Sequence, residues 1–175
     1  EDPRLVKGIV KRKVIEVVTP GTITSEKVLD AKKNNYIASL IQVKESFGYS
    51  VIDTSTGEFY VGECQSDDLY EALSKYNPSE ILLPKSISYN IQDWFIKLRP
   101  YVTSIEDLHF NYDSAYRNLV GHFKVNSLKG FGCEHLSNGI IAAGGLYLYL
   151  KNNLSKNVNH LKRISPVNDT GFMGL

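Results

Sequence analysis

Along the chain, short runs of β-branched and aromatic positions alternate with polar ones, and the apolar period later shifts from two to about 3.6. In Gly8 to Thr19 the apolar residues are interleaved with Lys11, Arg12 and Lys13, which predicts a strand with one wet face, ended by the Pro20-Gly21 turn. A short polar helix is expected near Ser25 to Ala31. Three strands follow at Tyr36 to Val43, Tyr49 to Thr54 and Glu58 to Cys64. Their connectors, Glu45 to Gly48 and Ser55 to Gly57, are short and glycine-ended, so the three strands form two consecutive hairpins. Leu69, Ala72, Leu73 and Tyr76 then recur at helical spacing behind the cap candidates Ser66 and Asp67. Asn77-Pro78 stops that helix, and the apolar run Glu80 to Pro84 reads as a parallel strand buried on both faces. Ile91, Trp94, Phe95 and Leu98 predict a second helix, closed by Arg99-Pro100, before an edge strand at Tyr101 to Ile105.

The order is β-β-β-α-β-α-β, an α/β arrangement that suits the ribonuclease H-like architecture, although order alone also permits other mixed α/β folds. Beyond Asp107 the pattern is helical. Asp113 is a cap candidate for a helix to Phe123, with Ala115, Leu119, Val120 and Phe123 on one side. A second helix, Glu134 to Asn153, follows the turn Lys129 to Gly132. Its Gly139, Gly144 and Gly145 each cost about 1 kcal/mol of helix propensity relative to alanine. With Ala142 and Ala143 they predict a closely packed helical partner, expected outside this chain.

Composition narrows the function only slightly. Twenty Lys and Arg against nineteen Asp and Glu give a formal charge of +1, unlike an autonomous nucleic-acid binder. Cys64 and Cys133 stand apart without metal-ligand spacing, which suits a reduced, intracellular chain. The longest apolar run, Gly139 to Leu150, is about twelve residues where a membrane span needs roughly twenty, so a soluble protein is expected. The opening Glu1-Asp2-Pro3 shows no signal peptide and reads as cut from something longer.

Candidate chemistry is sparse. A two-metal nuclease needs carboxylates converging on the central strands, yet Tyr36 to Val43 has none and the fourth strand ends at Leu83-Pro84 without one. Asp53 reads as a turn-stabilising side chain and Glu71 as a solvated helix residue. Gly57 and Gly62 have phosphate-loop spacing, but Glu63-Cys64 follow where Lys and Ser or Thr are required. His109, His122, His135 and His160 are scattered, and the Lys7 to Lys13 cluster lacks interleaved aromatics for base stacking.

Several stretches in order, Glu1 to Arg12, Val17 to Thr22, Asn35-Tyr36, Gly48 to Phe59, Ser79 to Leu83, Leu119 to Phe123, Ser127 to Gly132 and Ala142 to Lys151, resemble the MutS family of DNA mismatch repair proteins. The resemblance implies three parts: 1–20 as the end of the mismatch-recognition domain, 22–107 as the ribonuclease H-like connector, and 108–175 as helices leading into the lever domain. It also implies that the chain itself holds no catalytic residue and no cofactor. The family's Phe-x-Glu mismatch reader is missing, since none of the seven phenylalanines has Glu two residues on. ATP and Mg²⁺ belong to the parent's ATPase domain. The expected role is non-catalytic coupling plus a docking surface for MutL at Arg117, Asn118 and His122 on the helix after Asp113. Mismatched DNA is a partner only through the parent, a cytoplasmic homodimer. The rival readings are a nucleic-acid-binding ribonuclease H-like module and a vestigial nuclease.

Overall fold

Alternation along the central strand decides the layering. In β1 (Tyr36–Val43), Ile37 and Ser39 turn to one face and Ala38 and Leu40 to the other, and all four are fully buried. A strand with two dry faces must be covered on both sides, and it is. The structure is a computed structural model that describes residues 34–87, 98–154 and 158–167. The expected strand at Gly8 to Thr19, the helix at Ser25 to Ala31, most of the helix around Ile91 to Leu98 and the last eight positions lie outside the described residues.

β1 pairs antiparallel with β2 (Ser46–Asp53), which pairs antiparallel with β3 (Phe59–Gln65). β4 (Glu80–Pro84) lies parallel to β1, and β5 (Tyr101–Ile105) parallel to β4. The short β6 (Ser165–Pro166) adds to the far edge, parallel to β3, so the six-stranded order is β5-β4-β1-β2-β3-β6. Apart from that last strand, this is the ribonuclease H-like sheet the element order predicts.

One face, carrying Ala38, Leu40, Phe47, Tyr49 and Val51, is packed by Leu69 and Leu73 of α1 (Leu69–Ser74). The other, carrying Ile37, Ile52, Phe59, Val61 and Leu82, is packed by α2 (Tyr112–Phe123) and α3 (Ser137–Leu154). Each fully buried side chain of this size contributes about 1.5–3 kcal/mol of hydrophobic transfer energy. α2, α3 and the segment Val158 to Ile164 share this core with the sheet, so the expected division after residue 107 marks no break in packing.

Several local expectations are corrected. Gly48 lies inside β2, and the first hairpin turns on Lys44 and Glu45 alone, with Lys44 at φ 58°. The physical reason is α3: a Cβ at Gly48 would collide with the carbonyl group of Asn138. The small residues of α3 have their partner within this chain. Gly139 rides over β3, where a Cβ would come 2.5 Å from Val61 Cγ2, and a Cβ at Gly144 would run into Ala115 of α2. α3 starts at Ser137, with Glu134 in the preceding turn, and Glu63 of β3 caps it by accepting from the Asn138 amide at 2.7 Å. Asn111 caps α2 in place of Asp113, its side chain accepting from the Ser114 amide at 2.9 Å. Neither Ser66 nor Asp67 caps α1. Ser66 instead donates to Glu45 O at 2.9 Å, tying the start of that helix to the first hairpin.

Candidate functional site

Among the described residues, three places carry buried or clustered polar chemistry. The first is the turn after β2. Asp53 is fully buried, and its Oδ1 accepts from Ser55 N at 2.9 Å, Ser55 Oγ at 2.6 Å, Thr56 N at 3.4 Å and Asn35 N at 3.2 Å. Its Oδ2 is buried with no hydrogen-bond partner. Burial pushes this carboxyl up, but the donors, Ser55 foremost, outweigh it and hold the group below its ordinary pKa. The turn-stabilising role expected of Asp53 is therefore present, extended to Asn35.

Around that turn, Thr54 N donates to Asn35 O at 3.0 Å and Asn35 Nδ2 to Thr54 Oγ1 at 3.1 Å. His160 Nε2 meets Thr54 O at 3.2 Å. A carbonyl can only accept, so Nε2 carries the proton. Gly57, at φ +88°, is tucked under the His160 carbonyl, where a Cβ would come within 2.5 Å of that oxygen. Nothing in the local sequence around Asn35 or His160 announces these contacts, because they join segments far apart in the chain.

The second place is Glu80, a fully buried carboxylate at the start of β4 that the apolar reading of this strand passed over. Its Oε2 accepts from Thr103 Oγ1 of β5 and Tyr149 OH of α3, both at 2.8 Å. Asp53 and Glu80 sit near the same end of the sheet, but alternation sends them to opposite faces. Asp53 follows Tyr49 and Val51 on the α1 side, and Glu80 precedes Leu82 on the α3 side. Glu71 is exposed on α1, beside a cleft of about 600 Å³ shared with Glu63, Asp68 and Ser46. Since Ser46 and Asp53 bound β2, the cleft lies on the order of 20 Å from Asp53. Among the described residues, no three His, Cys, Asp or Glu side chains form a metal-holding group. Cys133 is fully buried, and burial pushes its thiol up to about 11. No helix of the described residues is long and apolar enough to cross a membrane.

The third place is α2, where the docking residues were expected. Ala115 and Leu119 are buried against α3. Arg117 is exposed and lines a groove of about 250 Å³ with Tyr112, Asp113, Tyr116 and Glu134. Glu134 holds the Tyr116 hydroxyl at 2.8 Å, and this hydrogen bond raises the pKa of the tyrosine. Asn118 is half-buried. His122 is not offered outward as expected. Its Nε2 meets Leu161 O at 2.8 Å, its Nδ1 meets Tyr147 OH at 3.2 Å, and its ring stacks edge-on against Phe123 and Tyr147. A ring with both nitrogens engaged and both flanks packed joins α2 to α3 and to the outgoing segment. The structure thus leaves Arg117 and Asn118 on one side of α2 and draws His122 inward.

A sequence model of MutS domain II matches residues 35–162, which spans β1 through the segment after α3. The chain is 38% identical over 173 residues to the DNA mismatch repair protein MutS of Flavobacterium johnsoniae, covering 99% of this chain and 20% of that protein. It is 39% identical over 175 residues to that of Cytophaga hutchinsonii and 36% over 186 to that of Halothermothrix orenii, each covering 100% of this chain and 20% of the relative. It therefore spans about a fifth of the length of the relatives it matches. With a ribonuclease H-like sheet in place and the match running across nearly all of the described fold, this chain belongs to the MutS domain II family.

Proposed function

We propose that this chain is the non-catalytic connector module of a DNA mismatch repair protein, coupling a mismatch-recognition domain ahead of it to lever and ATPase domains behind it, and offering a docking surface for MutL. The division read from the sequence, with 1–20 ending the recognition domain and 108–175 leading toward the lever, belongs to the same proposal. A packed sheet covered on both faces supports coupling, because it transmits a displacement that a flexible linker would absorb. No reaction is assigned to the chain. Among the described residues the two buried carboxylates diverge, and each is engaged in binding elements together. ATP, Mg²⁺ and mismatched DNA are assigned to other domains of the parent, which this reading makes a cytoplasmic homodimer.

The observation that carries the docking part is the state of α2. Its inner side is locked, with Ala115 against Gly144 and Leu119 fully buried, while Arg117 on its outer side is exposed. A polar face on an immobile helix costs little ordering on binding. Capture by immobilised MutL, at low and moderate salt, tests it. The double variant Arg117→Ala, Asn118→Ala is expected to lose about tenfold or more in capture, consistent with a polar contact of about 1–3 kcal/mol. Raising salt should weaken the wild-type chain more than the variant, because Arg117 supplies the screened charge. Undiminished capture by the double variant would remove this helix from the interface.

A further inference from the structure

We propose that the turn from Asp53 to Gly57 is a clasp that makes the incoming chain at Asn35 and the outgoing chain at His160 to Val167 move as one, with Asp53 as its positioning residue. An ordinary Asx turn needs only the amides two or three residues on. Here the same oxygen also holds the amide of Asn35, which precedes β1. Fixing residues on both sides of Thr54 fixes Thr54 itself. That residue then uses its amide and hydroxyl toward Asn35 and its carbonyl toward His160, 106 positions later. Gly57 completes the seat, since only a residue without a side chain lets the His160 backbone come so close. Immediately after the turn, β3 receives the outgoing chain as β6, and Val167 N donates to Val61 O at 2.8 Å.

The unpartnered Oδ2 agrees with this assignment. A carboxylate with four donors on one oxygen and none on the other is poorly solvated on one side, while its crowded oxygen organises both the turn and Asn35. In a connector, the clasp would let a displacement arriving ahead of Asn35 reach the chain beyond His160 through one turn, without distortion of the whole sheet. That consequence rests on the connector reading; the clasp itself does not.

Amide hydrogen exchange on the 175-residue chain tests the clasp apart from any partner. Asp53→Asn keeps the shape and removes the charge. It should raise exchange at Asn35 and Thr54 and also at Leu161 and Val167, by tenfold or more, at a denaturant concentration that equalises global stability with a Leu83→Ala control at the opposite end of β4. Conversely, His160→Ala should raise exchange at Thr54 and Asn35, as coupling must be reciprocal. Changes confined to residues 53–58, or a uniform rise matching the Leu83 control, would overturn the proposal. Should Asp53→Asn fail to fold, His160→Ala decides alone: unchanged protection at Asn35 and Thr54 sinks the clasp. Neither result depends on whether MutL is captured.

Discussion

Where α3 crosses the sheet and α2, contact is made by leaving side chains out. Gly48 accepts the backbone of Asn138, Gly139 rides on Val61 and Gly62, and Gly144 accepts Ala115. At the turn after β2, contact is made by polar groups: one buried carboxylate oxygen gathers four donors, and Thr54 joins two distant segments. The first seam is limited chiefly by volume, with Glu63 capping α3 at its edge. The second is limited by charge and hydrogen-bond geometry. A single molecule thus has two kinds of vulnerability, and each kind of substitution should find only one of them.

The largest effect is expected at the first seam. Gly48→Ala should lower unfolding stability by about 3 kcal/mol, read from the urea midpoint, because the obstruction is backbone and cannot swing aside. A loss under about 1 kcal/mol would mean that α3 can lift off β2, and the volume argument would fail.

Next comes Asp53→Asn, which should cost about 1–3 kcal/mol at neutral pH by leaving a buried amide group poorly paired. Its pH dependence sharpens the comparison. Because the folded carboxyl titrates below its ordinary value, its contribution is complete above the unfolded pKa of about 4 and fades as pH falls through the folded value. The gap between wild type and Asp53→Asn should therefore narrow on acidification. The gap for Gly48→Ala should stay level over the same range. Parallel pH curves for the two variants would erase the distinction drawn here.

A smaller effect of opposite sign is expected at Gly121, an exposed position in α2 where an added Cβ meets nothing within 4 Å. Gly121→Ala should raise the thermal midpoint, corresponding to about 0.5–1 kcal/mol of added stability. Failure to stabilise would show that more than packing and propensity restrains this helix. The smallest difference is expected between a G·T duplex and its matched control in competition gel shifts. Mismatch discrimination needs an inserted wedge or a base-edge reader, neither of which is built from these two seams. A tenfold preference would break the reading of both seams as purely internal.

The fold was readable where one period governs a segment. β1, β4 and β5 were expected with the bounds they have, and the helix ending at Phe123 was displaced by two residues at its start, its cap being Asn111 where Asp113 was expected. Misreadings came where a distant element decides a local feature. Gly48 looks like a turn residue until α3 is laid on it, and Glu80 looks like the polar border of an apolar run until Thr103 and Tyr149 are brought to it. His122 was expected outward with Arg117 and Asn118, but Leu161 and Tyr147, both later in the chain, draw its ring inward. Asp53 was correctly placed in its turn, yet its reach to Asn35 follows from strand register, which no local pattern encodes.

The capping of α3 by Glu63 has a consequence for the newborn chain. The three-stranded meander ends at Gln65, whereas the helix that seals one of its faces ends only at Leu154. At typical synthesis rates about ninety residues take roughly 5–20 s to emerge, long compared with hairpin formation. Through that interval Ile37, Ile52, Phe59 and Val61 have no α3 to cover them, and Glu63 waits for the amides it will hold. This is when the chain most needs protection from its neighbours on the polysome.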